Sequence, residues 1–436
     1  MRLGIFEQPT KNDFFMLPAK RLRLYYNVIM ILVEEALNKI LFHIQSLGFE
    51  KVSLLESLGR VAGEDVHARR DIPPLDNSGM DGYAVRAIDI GKASRDLPAR
   101  LEVIEDLPAG FISQKTLRQG QAIRIMTGAP IPMGADTVVP VEETQKEGSH
   151  ALIFKAIPSG EHIRKAGEDV RRGGRVISKE DVLRPAEIGM LAAMGRSSVS
   201  VFQRPLVAIL CTGEELVDVD EPLEGAKIVS SNSYTLAAQV KECGALPVQL
   251  GIAGDRKEEV VEKLCQGLRA DVLISSAGIS VGDYDFVKEA LKDLGMELVF
   301  WRVAMKPGKP MAFGTIHGKP VFGLPGNPVS SMVSFEQFVR PALLKMMGHR
   351  QIFRPVVEAT LQVEIRKEPG RRHYLRGVVS FRNDQYVVTT TGAQGSDILN
   401  SMVRANGLIV ISEDQERVRA GEKVKVQLID PFQFGV

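Results

Sequence analysis

The sequence predicts a multidomain chain built round an α/β domain of parallel strands, with β-rich modules before and after it. Three observations carry this reading. Strand-length apolar runs alternate with helix-length runs between Leu206 and Met347; such alternation favours a parallel sheet with helices on both faces. Pro and Gly recur over 71–165 among short β-branched runs, the texture of a separate β-rich module. Beyond Arg354 short strand-like segments return, which suits a small barrel or sandwich. At roughly 100–200 residues per domain, the 436 residues allow about two to four domains.

The elements follow in order. Val33, Ala36, Leu37, Ile40, Leu41 and Ile44 repeat at helical spacing, so an amphipathic helix is expected from near Met30. Before it, Arg21, Arg23 and the run 24–33 imitate a signal region, but Glu34 and Glu35 follow at once and no small-residue cleavage site is visible. The run is too short to span a membrane. Residues 1–29 show no periodic pattern and are left unplaced. Ser53-Leu54-Leu55-Glu56 has the capping-box pattern and predicts a second helix. Strands are expected at 122–126 and 137–141, and a helix at 185–194 that Gly195 closes. Next come strands at 206–211, 247–252, 271–276, 298–303 and 320–324, alternating with helices at 234–243, 257–268, 284–294 and 329–347. Strands at 356–365, 386–391, 408–411 and 423–428 complete the chain.

Composition narrows the function. A net charge of +1 leaves no polybasic footprint for nucleic acid, so any anion must be held by a local site. The three cysteines, Cys211, Cys243 and Cys265, form no C-x-x-C pair, which argues against zinc and redox motifs. All three fall in expected strands or helices and read as buried or half-buried structural thiols. Few cysteines fit a reducing, cytoplasmic setting.

The chemistry is sought where open α/β sheets bind ligands, at the carboxyl ends of the strands. Thr212-Gly213-Glu214-Glu215, Ala253-Gly254-Asp255, the stretch from Ala277 through Gly278, Ser280, Gly282 and Asp283 to Asp285, and Pro325-Gly326-Asn327-Pro328 each follow an expected strand. Glycines let backbone N–H groups approach anionic oxygens. Glu215, Asp255, Asp283 and Asp285 are suited to Mg²⁺, which takes carboxylate and phosphate oxygens together. Lys306 and Lys309, in Lys306-Pro307-Gly308-Lys309-Pro310, supply cationic donors for phosphate or an oxyanion. Each loop alone reads equally as turn chemistry; their convergence on one sheet edge makes the case for a metal-assisted reaction on a phosphorylated ligand. Asp76-Asn77-Ser78-Gly79-Met80-Asp81, Met126-Thr127-Gly128 and Ile163-Arg164-Lys165-Ala166-Gly167-Glu168-Asp169 are unusual stretches outside the sheet. On their own they read as ordered turns or a solvated linker.

Taken together, six segments resemble the molybdopterin molybdenumtransferase family: Asp76 to Val85, Arg124 to Pro130, Gly167 to Asp169, Ser275 to Gly282, Lys306 to Pro310 and Gly323 to Val329. The resemblance runs in order from about Val33 to the C-terminus. It implies an elongated homodimer whose subunits have four domains. These are a central doubly wound α/β domain (30–48 and 200–352), a small linking α/β domain (49–70 and 166–199), an inserted β-rich domain (71–165) and a C-terminal β-barrel-like domain (353–436). It also implies a cleft shared between subunits, in which Asp81, Thr127, Arg164 and Asp169 meet the strand-end loops of the partner. The implied reaction inserts molybdenum from molybdate, or tungstate, into adenylylated molybdopterin, with Mg²⁺-dependent release of AMP. Glu215, Asp255 and Asp285 would form the metal-linked group, and Lys306, Lys309, Arg376 and Ser396 would contact the anionic ligand. An upstream adenylyltransferase and acceptor molybdoenzymes are the implied protein partners. Two departures stand out: Arg302 sits where relatives can carry lysine, and Ala277 where a second glycine is usual. The alternatives are pterin adenylyl transfer, for which the sheet domain alone would suffice, and a non-catalytic cofactor carrier.

Overall fold

A computed structural model describes residues 30–277 and 286–430. Gly278, Ser280, Gly282, Asp283 and Asp285 therefore lie outside the described residues. The chain divides into two compact units; one spans Glu50–Val201, and the other holds the segments up to Phe49 and from Phe202 onward.

The first helix, α1, is Val33–His43 and buries Val33, Ala36 and Ile40, the stripe its spacing predicts. In the Glu50–Val201 unit, a six-stranded sheet is formed by β1 (Gly82–Val85), β2 (Ala99–Leu107), β3 (Gln121–Ile125), β4 (Thr137–Pro140), β5 (Thr144–Glu147) and β6 (His150–Ile153), in the order β4-β1-β3-β2-β6-β5. Successive side chains point to opposite faces of a strand. Tyr83 and Val85 therefore join one apolar cluster and Ala84 another, so both faces of this sheet are covered. A third cluster joins Ala62, Val66 and Val201 to Leu191 of α2 (Pro185–Ala193).

The helix expected at Ser53 does not form. Its reciprocal bonds are present, Ser53 N–H donating to Glu56 Oε2 at 3.2 Å and Glu56 N–H to Ser53 Oγ at 3.5 Å, yet only a single 3₁₀ turn, Leu55–Ser57, follows. Gly59 takes φ +74° and donates its N–H to the Leu183 carbonyl, which ends the turn.

The other unit contains β7 (Leu206–Thr212), α3 (Ser231–Glu242), β8 (Leu246–Ala253), α4 (Lys257–Gly267), β9 (Val272–Ser276), α5 (Phe286–Asp293), β10 (Glu297–Phe300), β11 (Met305–Lys306), β12 (Ala312–Ile316) and β13 (Lys319–Leu324). The large sheet runs β8-β7-β9-β13-β12-β10. β8, β7, β9 and β13 are mutually parallel, while β12 and β10 add an antiparallel edge. Val207 and Ile209 enter one core and Ala208 and Leu210 the other, which explains the unbroken apolar run of β7. β12 was not anticipated. It forms a hairpin with β13 through His317 (φ +50°) and Gly318 (φ +76°), the positive-φ pair that two-residue hairpins favour.

The helix expected at 329–347 forms as one continuous run: α6 (Pro328–Ser334), a π-helical turn (Phe335–Val339) and α7 (Arg340–Met346). Pro341 lies at the start of α7 and has no N–H to continue the regular ladder. The C-terminal strands β14 (Val356–Leu361), β15 (Arg372–Arg382), β16 (Gln385–Thr390), β17 (Gly407–Ile411) and β18 (Lys423–Leu428) close a five-stranded barrel in the order β15-β16-β14-β18-β17-β15. β11 adds to it in parallel, with Lys306 opposite His373. None of the described helices is long and apolar enough to cross a membrane.

Candidate active site

The carboxyl ends of β9 and β13, the β11–β12 connection and the barrel enclose a cavity of about 680 Å³. Lys306, Lys309, Pro325, Gly326, Asn327 and Ser396, all expected to touch the ligand, line it together. Lys306 and Lys309 are exposed, and neither ammonium has a hydrogen-bond or ion-pair partner among the described residues. Between them Gly308 is required by space. It has φ +104°, and a Cβ there would meet Ser334 Oγ at 2.6 Å. Asn327 starts α6 without capping it by its side chain; instead its Nδ2 donates to Ser396 Oγ at 2.7 Å, and Val329 N–H donates to the Ser396 carbonyl at 3.1 Å. The turn after β13 is thus tied to the barrel, and part of Asn327's hydrogen-bonding capacity is already used.

Ala277 sharpens the departure noted in the sequence. It sits at φ +72°, a region that an L side chain occupies at a cost. Its methyl lies 3.2 Å from where a Cβ on Gly326 would be, so the glycine at 326 accommodates the alanine at 277. Asn232, which the sequence reading passed over, joins the same two turns. Its buried amide donates to Ser276 Oγ at 2.8 Å and to the Gly326 carbonyl at 2.6 Å. The Ser230-Ser231-Asn232-Ser233 cluster at the start of α3 was the available signal.

Thr212, Gly213, Glu215 and Asp255 lie at the adjacent ends of β7 and β8, where Thr212 is in register with Ala253; they do not line the cavity. Thr212 is buried. Glu214, rather than Glu215, joins the two loops: its Oε1 accepts the Asp255 N–H at 2.9 Å. Glu215 and Asp255 are exposed, and neither carboxylate has a partner among the described residues. No group of three or more metal-ligating side chains is present among those residues. Arg376 lines a second cavity, beside Lys306. It is buried, with Nε donating to Ser401 Oγ at 3.0 Å and Nη2 to the Gly395 carbonyl at 2.9 Å. Burial pushes it down to about 10.

Within the other unit, three segments meet at one sheet edge. Asp81 Oδ1 accepts from Thr127 N–H at 2.6 Å and Thr127 Oγ–H at 2.7 Å. These bonds hold the exposed carboxyl below its ordinary range, the backbone donor most, and Arg124 adds to the effect. Asn77 pairs with Arg164, and Asp76 accepts from Ala166 N–H and Lys165 Nζ at 2.8 and 2.9 Å. Gly82 is sterically obligatory, since a Cβ there would fall 1.9 Å from the Val139 carbonyl oxygen. Asp169 is exposed on the same connection and donates its N–H to Ile72 O.

One thiol differs from expectation. Cys211 is buried and Cys243 half-buried, but Cys265 is exposed on α4. Its neighbour Leu264 holds the inward face.

Family models match nearly the whole described chain. The MoeA N-terminal region (domain I and II) covers residues 31–195, the probable molybdopterin binding domain 208–345 and the MoeA C-terminal region (domain IV) 358–429. Molybdopterin molybdenumtransferase 2 of Mycobacterium tuberculosis is 40% identical over 383 residues, covering 86% of this chain and 94% of that protein. The chain belongs to the molybdopterin molybdenumtransferase family. The Bacillus subtilis molybdopterin molybdenumtransferase is 36% identical, over 91% of this chain and 94% of its own. The crystal structure of the Pyrococcus horikoshii OT3 molybdopterin biosynthesis moeA protein superposes with a TM-score of 0.78 at 33% identity, covering 92% of this chain and 100% of that one. The protein is thus an enzyme of molybdenum cofactor biosynthesis.

Proposed function

We propose that the enzyme inserts molybdenum from molybdate into adenylylated molybdopterin, with Mg²⁺-dependent release of AMP. The observation that carries this reading is the pair Lys306 and Lys309, unpartnered among the described residues in a cavity walled by the Pro325-Gly326-Asn327 turn. Ammonium groups paired with no carboxylate among the described residues favour an anionic ligand, and they stabilise charge that develops on phosphate as a bond breaks. Ser396, and Arg376 of the neighbouring cavity, would complete the anion contacts. Thr212, Gly213 and the 278–283 loop would take the nucleotide side.

Glu215 and Asp255 fit a Mg²⁺ ion, because they offer two unpartnered carboxylates at adjacent strand ends and Mg²⁺ is commonly held by one or two carboxylates plus phosphate oxygens. Asp285 would be the third acid. When bound, the ion supplies charge neutralisation at the phosphoanhydride. Asp81, oriented by Thr127, with Arg164 and Asp169, would act on the same substrate from the partner subunit of a homodimer. The setting would be the cytoplasm, with the upstream adenylyltransferase and acceptor molybdoenzymes as transient partners.

The test is direct. Purified protein given adenylylated molybdopterin, molybdate and Mg²⁺ is expected to release AMP, and given ATP and free molybdopterin it is expected to release no pyrophosphate. Absence of AMP while a control enzyme turns over would overturn the reading.

A further inference from the structure

Asn232 does not line the Lys306–Lys309 cavity, yet it is bonded to two of the turns that do. It is the second residue of α3 and 8% exposed. Its Nδ2 donates to Ser276 Oγ, at the end of β9, and to the Gly326 carbonyl, in the turn after β13. A carbonyl can only accept, so the Gly326 contact identifies the nitrogen end of the amide. The other end, Oδ1, is buried and has no hydrogen-bond partner. Buried polar atoms are rarely left so, and the lost hydration of that oxygen offsets much of what the two donor bonds contribute to folding. What Asn232 adds is therefore direction more than stability. Ser276 extends its reach. The buried Ser276 Oγ accepts from Asn232 and donates to the Pro325 carbonyl at 3.5 Å, a long bond.

The carbonyls of Pro325 and Gly326 are thus drawn to one side. Both peptide units are trans, and in a trans unit the N–H points opposite to the carbonyl. The Gly326 and Asn327 N–H groups, which belong to those units, are therefore turned away from Asn232. Neither has a partner among the described residues, and both residues are exposed and line the cavity. We infer that Asn232 is a positioning residue for the transfer reaction: directly at Gly326, and through Ser276 at Pro325, it holds the turn with these N–H groups aimed before an anionic ligand arrives. The inference rests on the reading of the Lys306–Lys309 cavity as the reaction site. Donors set in advance stabilise charge that develops in the transition state without reorganising at that moment. The Asn327–Ser396 bond holds the far side of the turn, so loss of Asn232 loosens it rather than unfolding it.

The full chain is to be assayed for molybdenum insertion, read as active cofactor by reconstitution of an apo-molybdoenzyme, with kcat and KM for adenylylated molybdopterin separated. N232A is expected to lose about tenfold in kcat, with KM within about twofold and the urea midpoint little changed. S276A, which cuts only the connection to Pro325, is expected to lose about threefold in kcat. A purely structural role predicts a lower urea midpoint with wild-type kcat per folded molecule. That result would overturn the proposal, as would a loss confined to KM. If N232A does not fold, S276A decides, and wild-type kcat there overturns the proposal. K306A assayed beside them separates the two readings. A slow K306A with N232A at the wild-type rate overturns the positioning role and leaves the cavity reading standing, while wild-type rates in both overturn the two together.

Discussion

The Lys306–Lys309 cavity and the Asp81–Thr127 edge prepare their charges in opposite ways. In the cavity the ammonium groups have no partner among the described residues, while the backbone around them is fixed by a glycine at φ +104°, two prolines and the Asn327–Ser396 bond. At the edge the carboxylate is itself bound, accepting two hydrogen bonds from one threonine. Free cations on a rigid frame suit capture of an anion whose oxygens will satisfy them. A carboxylate held by two donors suits a group that must stay ionised and point one way. The two regions are thus prepared for different kinds of task.

Substitutions can break this contrast. The largest effect is expected from K306A, which removes one of the two unpaired ammonium groups of the cavity: kcat should fall about a hundredfold to a thousandfold, with unfolding unchanged in a denaturant titration. At the edge, T127V should cost about tenfold, since it removes one of two bonds to Asp81. It should also move the acid limb of the pH–rate profile. Asp81 is held below the ordinary carboxyl range, so activity that needs its charge persists below that range and is lost as pH falls through the depressed value. Loss of the hydroxyl donor should shift that limb upward, and a limb that stays put would separate Asp81 from the chemistry. A277G should stabilise the fold by about 0.5–1 kcal/mol, because relief at φ +72° outweighs the added freedom of the unfolded chain. Thermal unfolding measures this. The smallest effect concerns the thiols. Iodoacetamide should label Cys265 first, because Cys243 is pushed up to about 12 by burial and Cys211 is raised for the same reason. Peptide mapping reads the order.

Much of the sheet unit was legible because β7 to β9 and β13 are largely apolar runs that end in glycine-bearing turns, and a parallel sheet puts those ends on one edge. β15 was hidden: its first residues are Arg372 and His373, and only closure of the barrel makes a strand of them. The exchange of Glu214 for Glu215 shows a finer limit. Two acids in sequence are equivalent as text, but a turn sends one to the Asp255 N–H and leaves the other's carboxylate without a partner among the described residues. Cys265 is the helical counterpart, one residue and roughly 100° from the buried Leu264. Asn232 and His373 owe their positions to contacts across the fold, so no local pattern marks them. The resemblance to the transferase family did for Asp81 and Thr127 what local reading could not, since it singled out two turns 46 residues apart.

The proposed function has Asp81 and Lys306 serve one reaction from two subunits. D81A and K306A proteins, each expected to be strongly impaired alone, are to be mixed, dissociated and reassociated, and AMP release measured. A site shared across the homodimer predicts that activity returns, because each mixed dimer keeps one intact pairing of Asp81 with Lys306. Mixed dimers, verified by differential tagging, that remain as inactive as the parents would contradict it.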